Sequence, residues 1–397
     1  MCWWGTYASF SARCGMGNSD IDKTASWLGR FRLDWRERVM HSEIDRLMTA
    51  YRRGRVSRRV FLGALAALTV SPRSLAQGGP PIPITGINHM TLSVSDPGRS
   101  LEWYQGLFGM PIAARQANTV VLRVGAGPQF MAIGGGSSAN PGINHLCLSV
   151  DNFDAGRTVE ILGQHGIAAS RTSGPMEVRI RMRGADFGGA PDGTPELYFG
   201  DPDGIVVQLQ DTTYCGGAGP QGEACLAVPG SAPSAGELAL RDYNHFTLFV
   251  TDQQRSIGLY QRLFGMPIDT YQGALPVLRV GSGNQFLALA EGGRGPRGAI
   301  IHHACLTVDD FDVDRILAIL EDFGVTPRGD AAGPVAPLQY YVTMRMPDRG
   351  GAPGGTPELY FTDPDGILIQ LQDARYCGGN GYLGEECGSP QNPTGRV

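Results

Sequence analysis

Thr194–Asp211 reads TPELYFGDPDGIVVQLQD and Thr356–Asp373 reads TPELYFTDPDGILIQLQD, so the two segments differ at three of eighteen positions. Self-similarity of this length is an architectural signal. Working outward, LFGMPI occurs at Leu107–Ile112 and again at Leu263–Ile268. INHMTLSV around His89 matches YNHFTLFV around His245, and INHLCLSV around His145 matches IHHACLTV around His303. The offset grows from 156 residues at His89 to 162 at Gln208, as a few loop insertions would produce. The 397-residue chain is therefore expected to carry two copies of one domain, at 84–227 and 239–388. A Pro/Ser/Gly-rich linker is expected at 228–238, a shorter one at 77–83 and a tail at 389–397.

Each copy divides again into similar halves. In the first copy strands are expected at Ile87–Val94 and Ile143–Val150, each followed by a helix, Pro97–Phe108 and Phe153–Gln164. Pro97 suits a first helical turn and Gly109 a helix end. Alternating or β-branched runs follow at Val120–Val124 and Gln129–Ile133, then at Val178–Met182, Glu196–Phe199 and Ile205–Gln210. Asp201-Pro202-Asp203-Gly204 reads as a hairpin turn. The unit is β-α-β-β-β, four times over. The fold class is α+β, with two units per domain curving a mixed sheet around a cleft and helices outside.

Charge is unevenly spread. Residues 1–76 hold thirteen Lys/Arg and six Asp/Glu, whereas the rest holds 20 basic and 32 acidic residues. An acidic body argues against nucleic acid as a partner. The one lysine, Lys23, lies in the leader, which removes lysine Schiff-base chemistry from the body. Residues 57–62 read SRRVFL, then comes an apolar run to Val70 and the small-residue site Ser74-Leu75-Ala76. This resembles a twin-arginine export signal at 40–76. The apolar run is far shorter than the ~20 residues that cross a bilayer, so no lasting membrane insertion is expected. Residues 1–39, with Cys2 and Cys14, are unassigned and fall upstream of the two candidate starts, Met40 and Met48.

Strand alternation indicates where chemistry sits. In Ile87–Val94, His89, Thr91 and Ser93 share a face opposite Met90, Leu92 and Val94. Parity likewise groups His145 with Cys147 and Ser149, His245 with Thr247, and His303 with Cys305 and Thr307. Gln208 and Gln210 share a face, as do Gln370 and Gln372. Four of the six histidines after the leader thus point into two cups. By the same parity Asn88, Asn144, Asn244 and His302 lie on the opposite face with structural roles.

NH-x-x-L-x-V opening each half, and DPDG followed by a strand, resemble the vicinal-oxygen-chelate superfamily of glyoxalases, bleomycin-resistance proteins and extradiol dioxygenases. The resemblance covers nearly all of Ile84 to Asp373. It implies a divalent metal in the cup, with Fe, Mn, Zn, Ni and Mg left open, or a metal-free pocket. The implied ligands are His89, His145 and Gln208 in one copy and His245, His303 and Gln370 in the other. The glutamines depart from the family pattern, which has glutamate there. An amide is a neutral, weaker donor than a carboxylate. Glu196 and Glu358, on the preceding strand, are alternatives. The implied chemistry is bidentate capture of a small substrate with adjacent oxygens. Arg123, Arg279, Tyr198 and Tyr360 are candidate substrate contacts, each with a plain packing role as the rival. A metal-free sequestration protein is the alternative function, and a third has one copy active and the other structural.

YCGGAGPQGEAC and YCGGNGYLGEEC place Cys215 with Cys225 and Cys377 with Cys387 at equal spacing. In an oxidising compartment they read as two local disulfides, each contributing roughly 2–3 kcal/mol. A metal site is the rival reading, without the short spacing of a zinc knuckle. Cys147 and Cys305 read as small buried groups rather than nucleophiles. Protein recovered outside the cytoplasm is expected to have an intact mass corresponding to cleavage after Ala76. A retained leader would overturn the export reading.

Overall fold

The computed structural model describes residues 79–388, apart from 228, 294–297 and 330–333, together with residues 49 and 53. The arginine pair, the apolar run and the cleavage site lie outside the described residues, as do Cys2 and Cys14. In chain order the first copy runs β1 (Ile84–Val94), α1 (Pro97–Phe108), β2 (Ile112–Gln116), β3 (Thr119–Arg123), β4 (Phe130–Ser137), β5 (Gly142–Val150), α2 (Ala155–Gln164), β6 (Ala168–Ala169), β7 (Glu177–Arg183), β8 (Thr194–Gly200) and β9 (Val206–Asp211). The second runs β10 (Leu240–Val250), α3 (Gln253–Phe264), β11 (Ile268–Gln272), β12 (Leu275–Arg279), β13 (Phe286–Glu291), β14 (Ile300–Val308), α4 (Val313–Asp322), β15 (Thr326–Pro327), β16 (Gln339–Arg345), β17 (Thr356–Thr362) and β18 (Leu368–Asp373). Among the described residues no helix is long and apolar enough to cross a membrane.

Each copy is one nine-stranded mixed sheet, ordered β2-β3-β4-β1-β5-β9-β8-β7-β6 and β11-β12-β13-β10-β14-β18-β17-β16-β15. The β-α-β-β-β unit is present four times, with a two-residue edge strand added in each second half. The central pair β1–β5 is antiparallel, while β1–β4 and β5–β9 are parallel. Helix starts follow from an aspartate N-cap in every case. Asp96, Asp154, Asp252 and Asp312 each accept a backbone N–H of the first turn. That cap is why α2 begins at Ala155 rather than at Phe153. The helices α1 and α3 stop at Gly109 and Gly265, both left-handed with φ of 62° and 65°.

The repeated DPDG is a turn built on its first aspartate. Asp201 Oδ1 accepts from the N–H of Asp203 and of Ile205, each at 2.9 Å, and Asp363 does the same for Asp365 and Ile367. Gly204 and Gly366 supply the positive φ the turn requires.

Met90, Leu92 and Val94 face a continuous hydrophobic core that spans both copies, which pack as one unit. The helices lie on the face away from the cups, and α1 and α3 also touch the opposite sheet. Trp103 and Phe108 meet Phe361 of β17, and Phe264 meets Phe199 of β8. The contacts are reciprocal. Tyr104 donates to Asp363 Oδ2 at 3.0 Å and Tyr260 to Asp201 Oδ2 at 3.4 Å. Asp365 holds Ser95 and Arg99, and Asp203 holds Thr251 and Arg255. The connecting segment is also tied down, since Gly230 exchanges two backbone bonds with Ile112 and Leu238 is buried.

Burial raises the carboxyls of Asp201 and Asp363 to about 6, against the backbone N–H bonds that lower them. A carboxyl raised on folding favours the protonated form. Its stabilisation is therefore full below the ordinary value of 3.8 and is lost as pH rises through 6. The variant D201N/D363N, which cannot ionise, is expected to gain on the wild type across that window. The gain has an upper bound of about 3 kcal/mol per site, read from urea unfolding at several pH values. A difference independent of pH would contradict this account.

Candidate functional site

Four extra residues in the central strands build the two cups. In the β1–β5 ladder Ile87 pairs with Leu148 and His89 with Cys147, so Asn88 is a β-bulge. Thr91 pairs with His145 and Leu92 with Ile143, which makes Asn144 a second bulge. The β10–β14 ladder repeats the pattern, with Asn244 and His302 as the extra residues. Where two residues oppose one, strict alternation fails and adjacent side chains can meet. The expectation that Asn88, Asn144, Asn244 and His302 lie across the sheet from the histidines is corrected on this ground. Asn88 Oδ1 lies 2.7 Å from His89 Nδ1, Asn144 Oδ1 2.9 Å from His145 Nδ1, and Asn244 Oδ1 2.8 Å from His245 Nδ1. His302 Nδ1 lies 2.8 Å from His303 Nδ1.

These contacts define the ring chemistry. Asn88 donates its amide N–H to the Tyr214 carbonyl at 2.9 Å, and Asn244 donates to the Tyr376 carbonyl at 2.6 Å. Their Oδ1 atoms must therefore accept, which puts the proton of His89 and His245 on Nδ1 and the lone pair on Nε2. His89 and His145 lie 5.5 Å apart between ring centroids, edge to face, and His245 and His303 repeat that distance. Phe130 stacks on His89 at 4.1 Å and Phe286 on His245 at 4.2 Å. Nε2 of His145 and of His303 is buried without a hydrogen-bond partner.

Gln208 Oε1 lies 3.1 Å from His89 Nε2, while its Nε2 has no partner, and Gln370 in the second copy has a partner at neither amide atom. Gln210 and Gln372 donate to the carbonyls of Pro195 and Pro357, which engages them with the sheet.

Burial is the main reason that all four imidazoles hold their protons weakly. It brings His145 to about 4 and His245 to about 3, and takes His89 and His303 well below 6.5. The cup histidines are neutral at physiological pH.

Glu196 and Glu358 lie behind the cup walls and are already engaged. Buried Arg183 donates to Glu196 Oε1 at 2.7 Å, Tyr214 donates to the same oxygen at 2.9 Å, and Tyr198 donates to Oε2 at 3.2 Å. Arg345 and Tyr376 hold Glu358 Oε1, each at 2.9 Å. Among the described residues no three His, Cys, Asp or Glu side chains converge as a metal site. The set that does converge is two histidines and a glutamine.

In the first copy these residues line a cavity of about 390 Å³, with Tyr198, Arg179, Arg181 and Tyr214. Arg123 is not among the lining residues. Arg279 is directed elsewhere, bonding Asp269 and the carbonyls of Asn284 and Cys377. Tyr198 packs edge-on against His145 at 5.3 Å, and Tyr360 against His303 at 5.4 Å. Burial, then the neighbouring glutamate, raises both phenols far above 10, so they stay protonated. Arg179 and Arg181 were missed from sequence, although EVRIRMR from Glu177 to Arg183 alternates arginine at every second position.

Disulfides join Cys215 to Cys225 and Cys377 to Cys387. Each closes a loop that Arg183 or Arg345 holds through the carbonyl of Gly217 or Gly379. Cys147 and Cys305 are buried free thiols whose pKa burial raises, as fits a packing role.

Residues 86–209 and 242–371 match the Glyoxalase/Bleomycin resistance protein/Dioxygenase superfamily. The chain belongs to that superfamily. Solved structures with this fold include the 2,3-dioxygenase LapB from Pseudomonas sp. KL28, at 14% identity and TM-score 0.50, covering 73% of this chain and 92% of that one. An extradiol ring-cleaving dioxygenase from B. fuscum gives 16% identity and TM-score 0.50, covering 79% and 76%. The Mn(II)-bound glyoxalase from Novosphingobium aromaticivorans gives 16% identity and TM-score 0.47, covering 73% and 82%. No curated protein matches the chain. At these identities the likeness is one of fold.

In metal-free protein, nitrogen NMR shifts at pH 7 are expected to report neutral Nδ1–H tautomers for His89, His145 and His245. His145 and His245 should titrate only near 4 and 3. Substituting Asn88 by Ala should release the tautomer preference of His89 and leave that of His245. Titration midpoints near 6.5 would contradict the burial argument.

Proposed function

We propose that this is an exported glyoxalase- or dioxygenase-like enzyme that holds a divalent metal in its cups and captures a small oxygenated substrate. The observation that carries the proposal is the pair of buried Nε2 atoms of His145 and His303, which have no hydrogen-bond partner, each beside a second imidazole whose Nδ1 is held by Asn88 or Asn244. Metal-bound histidines are typically fixed through their second nitrogen in this manner. His89, His145 and Gln208 would hold an ion in one cup, and His245, His303 and Gln370 in the other. The 3.1 Å between His89 Nε2 and Gln208 Oε1 fits the donor set. When bound, the metal would act as a Lewis acid toward two adjacent substrate oxygens.

The chain's own contribution is orientation and exclusion of water. Phe130, Tyr198 and Tyr214 wall the rings of the first cup, and the two phenols donate to Glu196 rather than to the cavity. With neutral His and Gln, the site keeps the full charge of any ion it binds and lacks the anchoring of a carboxylate. Modest affinity and strong attraction for anionic substrates follow. The disulfides and the signal-like leader support export together, as oxidising compartments retain such bonds.

A metal-free binding protein is the second reading, and the absence of a carboxylate ligand favours it. In that state the Gln208 amide would turn over and donate Nε2–H to His89 Nε2. Elemental analysis of the mature protein after incubation with Mn(II), Fe(II), Zn(II), Ni(II) or Mg(II) distinguishes the two. The first reading expects up to two ions per chain, falling by one in H245A or H303A. Replacing Gln370 by Glu should tighten binding, on the order of tenfold or more, by restoring a charged donor. No retained ion under any of these conditions would leave only the second reading.

A further inference from the structure

We infer that the cup of the first copy recognises a small carboxylate-bearing ligand through Arg179 and Arg181, and that the cup of the second copy does not. This rests on reading the cups as ligand sites, and it adds the substrate class. Alternation along β7 directs Arg179, Arg181 and Arg183 toward the cup. Arg183 is fully buried and neutralised by Glu196 at 2.7 Å. Arg181 reaches the other oxygen of the same glutamate at 3.3 Å, with its side chain 45% exposed. Arg179 lies over the ring of Tyr198 at 5.0 Å and, among the described residues, pairs with no carboxylate. The cavity lining contains no Asp or Glu. One carboxylate thus faces three guanidiniums.

The second copy is an internal control. Register places Tyr341 opposite Tyr360 as Arg179 stands opposite Tyr198, and Thr343 opposite Glu358 as Arg181 stands opposite Glu196. Arg345 and Glu358 then balance one to one. Arg328, the other arginine near this wall, lies over the Tyr341 ring at 5.4 Å. The same sheet and the same Arg–Glu–Tyr cluster therefore form with Tyr and Thr in place of two arginines, so folding does not require them. Beside the arginines, the buried Nε2 of His145 and the amide of Gln208 offer an acceptor and a donor without protein partners. A guanidinium pair beside such groups suits a carboxylate carrying a hydroxyl or oxo group, and the cavity admits a single ring or less.

Calorimetry on the full mature protein, stripped of metal with a chelator, tests the assignment using 3,4-dihydroxybenzoate and catechol as probes. The carboxylate is expected to bind at one site per chain, at least about tenfold tighter than catechol, with the advantage shrinking as salt rises. R179Q/R181Q should abolish the advantage, R179Q alone should remove most of it without touching the glutamate's ion pairs, and R328Q should leave it intact. Equal affinity for both probes, binding of neither, two equivalent sites, or an advantage that survives R179Q/R181Q in a variant with unchanged Tm would overturn the assignment. Repeating the titration with each of Mn(II), Fe(II), Zn(II), Ni(II) and Mg(II) separates the underlying reading. If none of these ions tightens either diol, the metal proposal fails while the carboxylate preference stands or falls by itself.

Discussion

One inserted residue ahead of each cup histidine governs the site. In a regular strand Ile87 and His89 would share a face, and so would Tyr243 and His245. The bulge between them lets the first side chain enter the common core while the second enters the cup. It also leaves the inserted residue beside the imidazole, where the side-chain oxygen of Asn88, Asn144 or Asn244 can take the Nδ1 proton and where His302 presents its own Nδ1 to His303. Core packing, ring orientation and tautomer are thereby coupled through one local distortion. The second nitrogen faces inward because the first is already bonded, and burial keeps it unprotonated. A chain that smoothed the ladder at Asn88 would have to give up either Ile87 in the core or His89 in the cup.

A second constraint holds the glutamate nearest the cup to the protein itself. Glu196 is buried, and a buried carboxylate needs a cation and several hydrogen bonds to offset its desolvation. Arg183, Tyr214 and Tyr198 supply them, and Arg183 in turn bonds the carbonyl of Gly217 in the disulfide loop. Tyr214 closes the circuit, since its own carbonyl orients Asn88 and hence His89. The carboxylate therefore braces the floor of the cup. Releasing it to a metal would leave Arg183 as an uncompensated buried charge.

The architecture was legible because duplication made it so. Four β-α-β-β-β units, the helix at Pro97–Phe108, the DPDG turns and the two cysteine pairs all repeat, and each rests on local chemistry that a single strand or turn displays. The inward direction of the histidines was legible from alternation alone. What alternation could not display was its own failure at Asn88, Asn144, Asn244 and His302, since a bulge is a property of the pairing between two strands. Arg123 and Arg279 stood out because they repeat in both copies. That repetition reflects a shared strand end, and Arg279 bonds Asp269 and backbone there. Arg179 and Arg181 were overlooked for the opposite reason, being present in one copy only. That Glu196 is shared by Arg181 and Arg183, with Arg179 left over, needs coordinates.

The two copies have diverged where the fold leaves them free to do so. Their interface is reciprocal, with each DPDG turn gripped by the start of the other copy's first helix, and with Tyr104 and Tyr260 donating across to Asp363 and Asp201. A change at Asp201 or Tyr260 disturbs both halves, and these elements recur in both. Cup floors recur for the same physical reason, being tied through Tyr214 and Tyr376 to their disulfide loops. Rim positions carry no such ties. There Arg179 answers to Tyr341, Arg181 to Thr343 and Ser93 to Phe249. The outcome is two floors with the same donors beneath different mouths, one cationic and one aromatic. A duplicated scaffold of this kind can vary its ligand without altering the geometry that holds the imidazoles, because the residues that select and the residues that position sit on different parts of each strand.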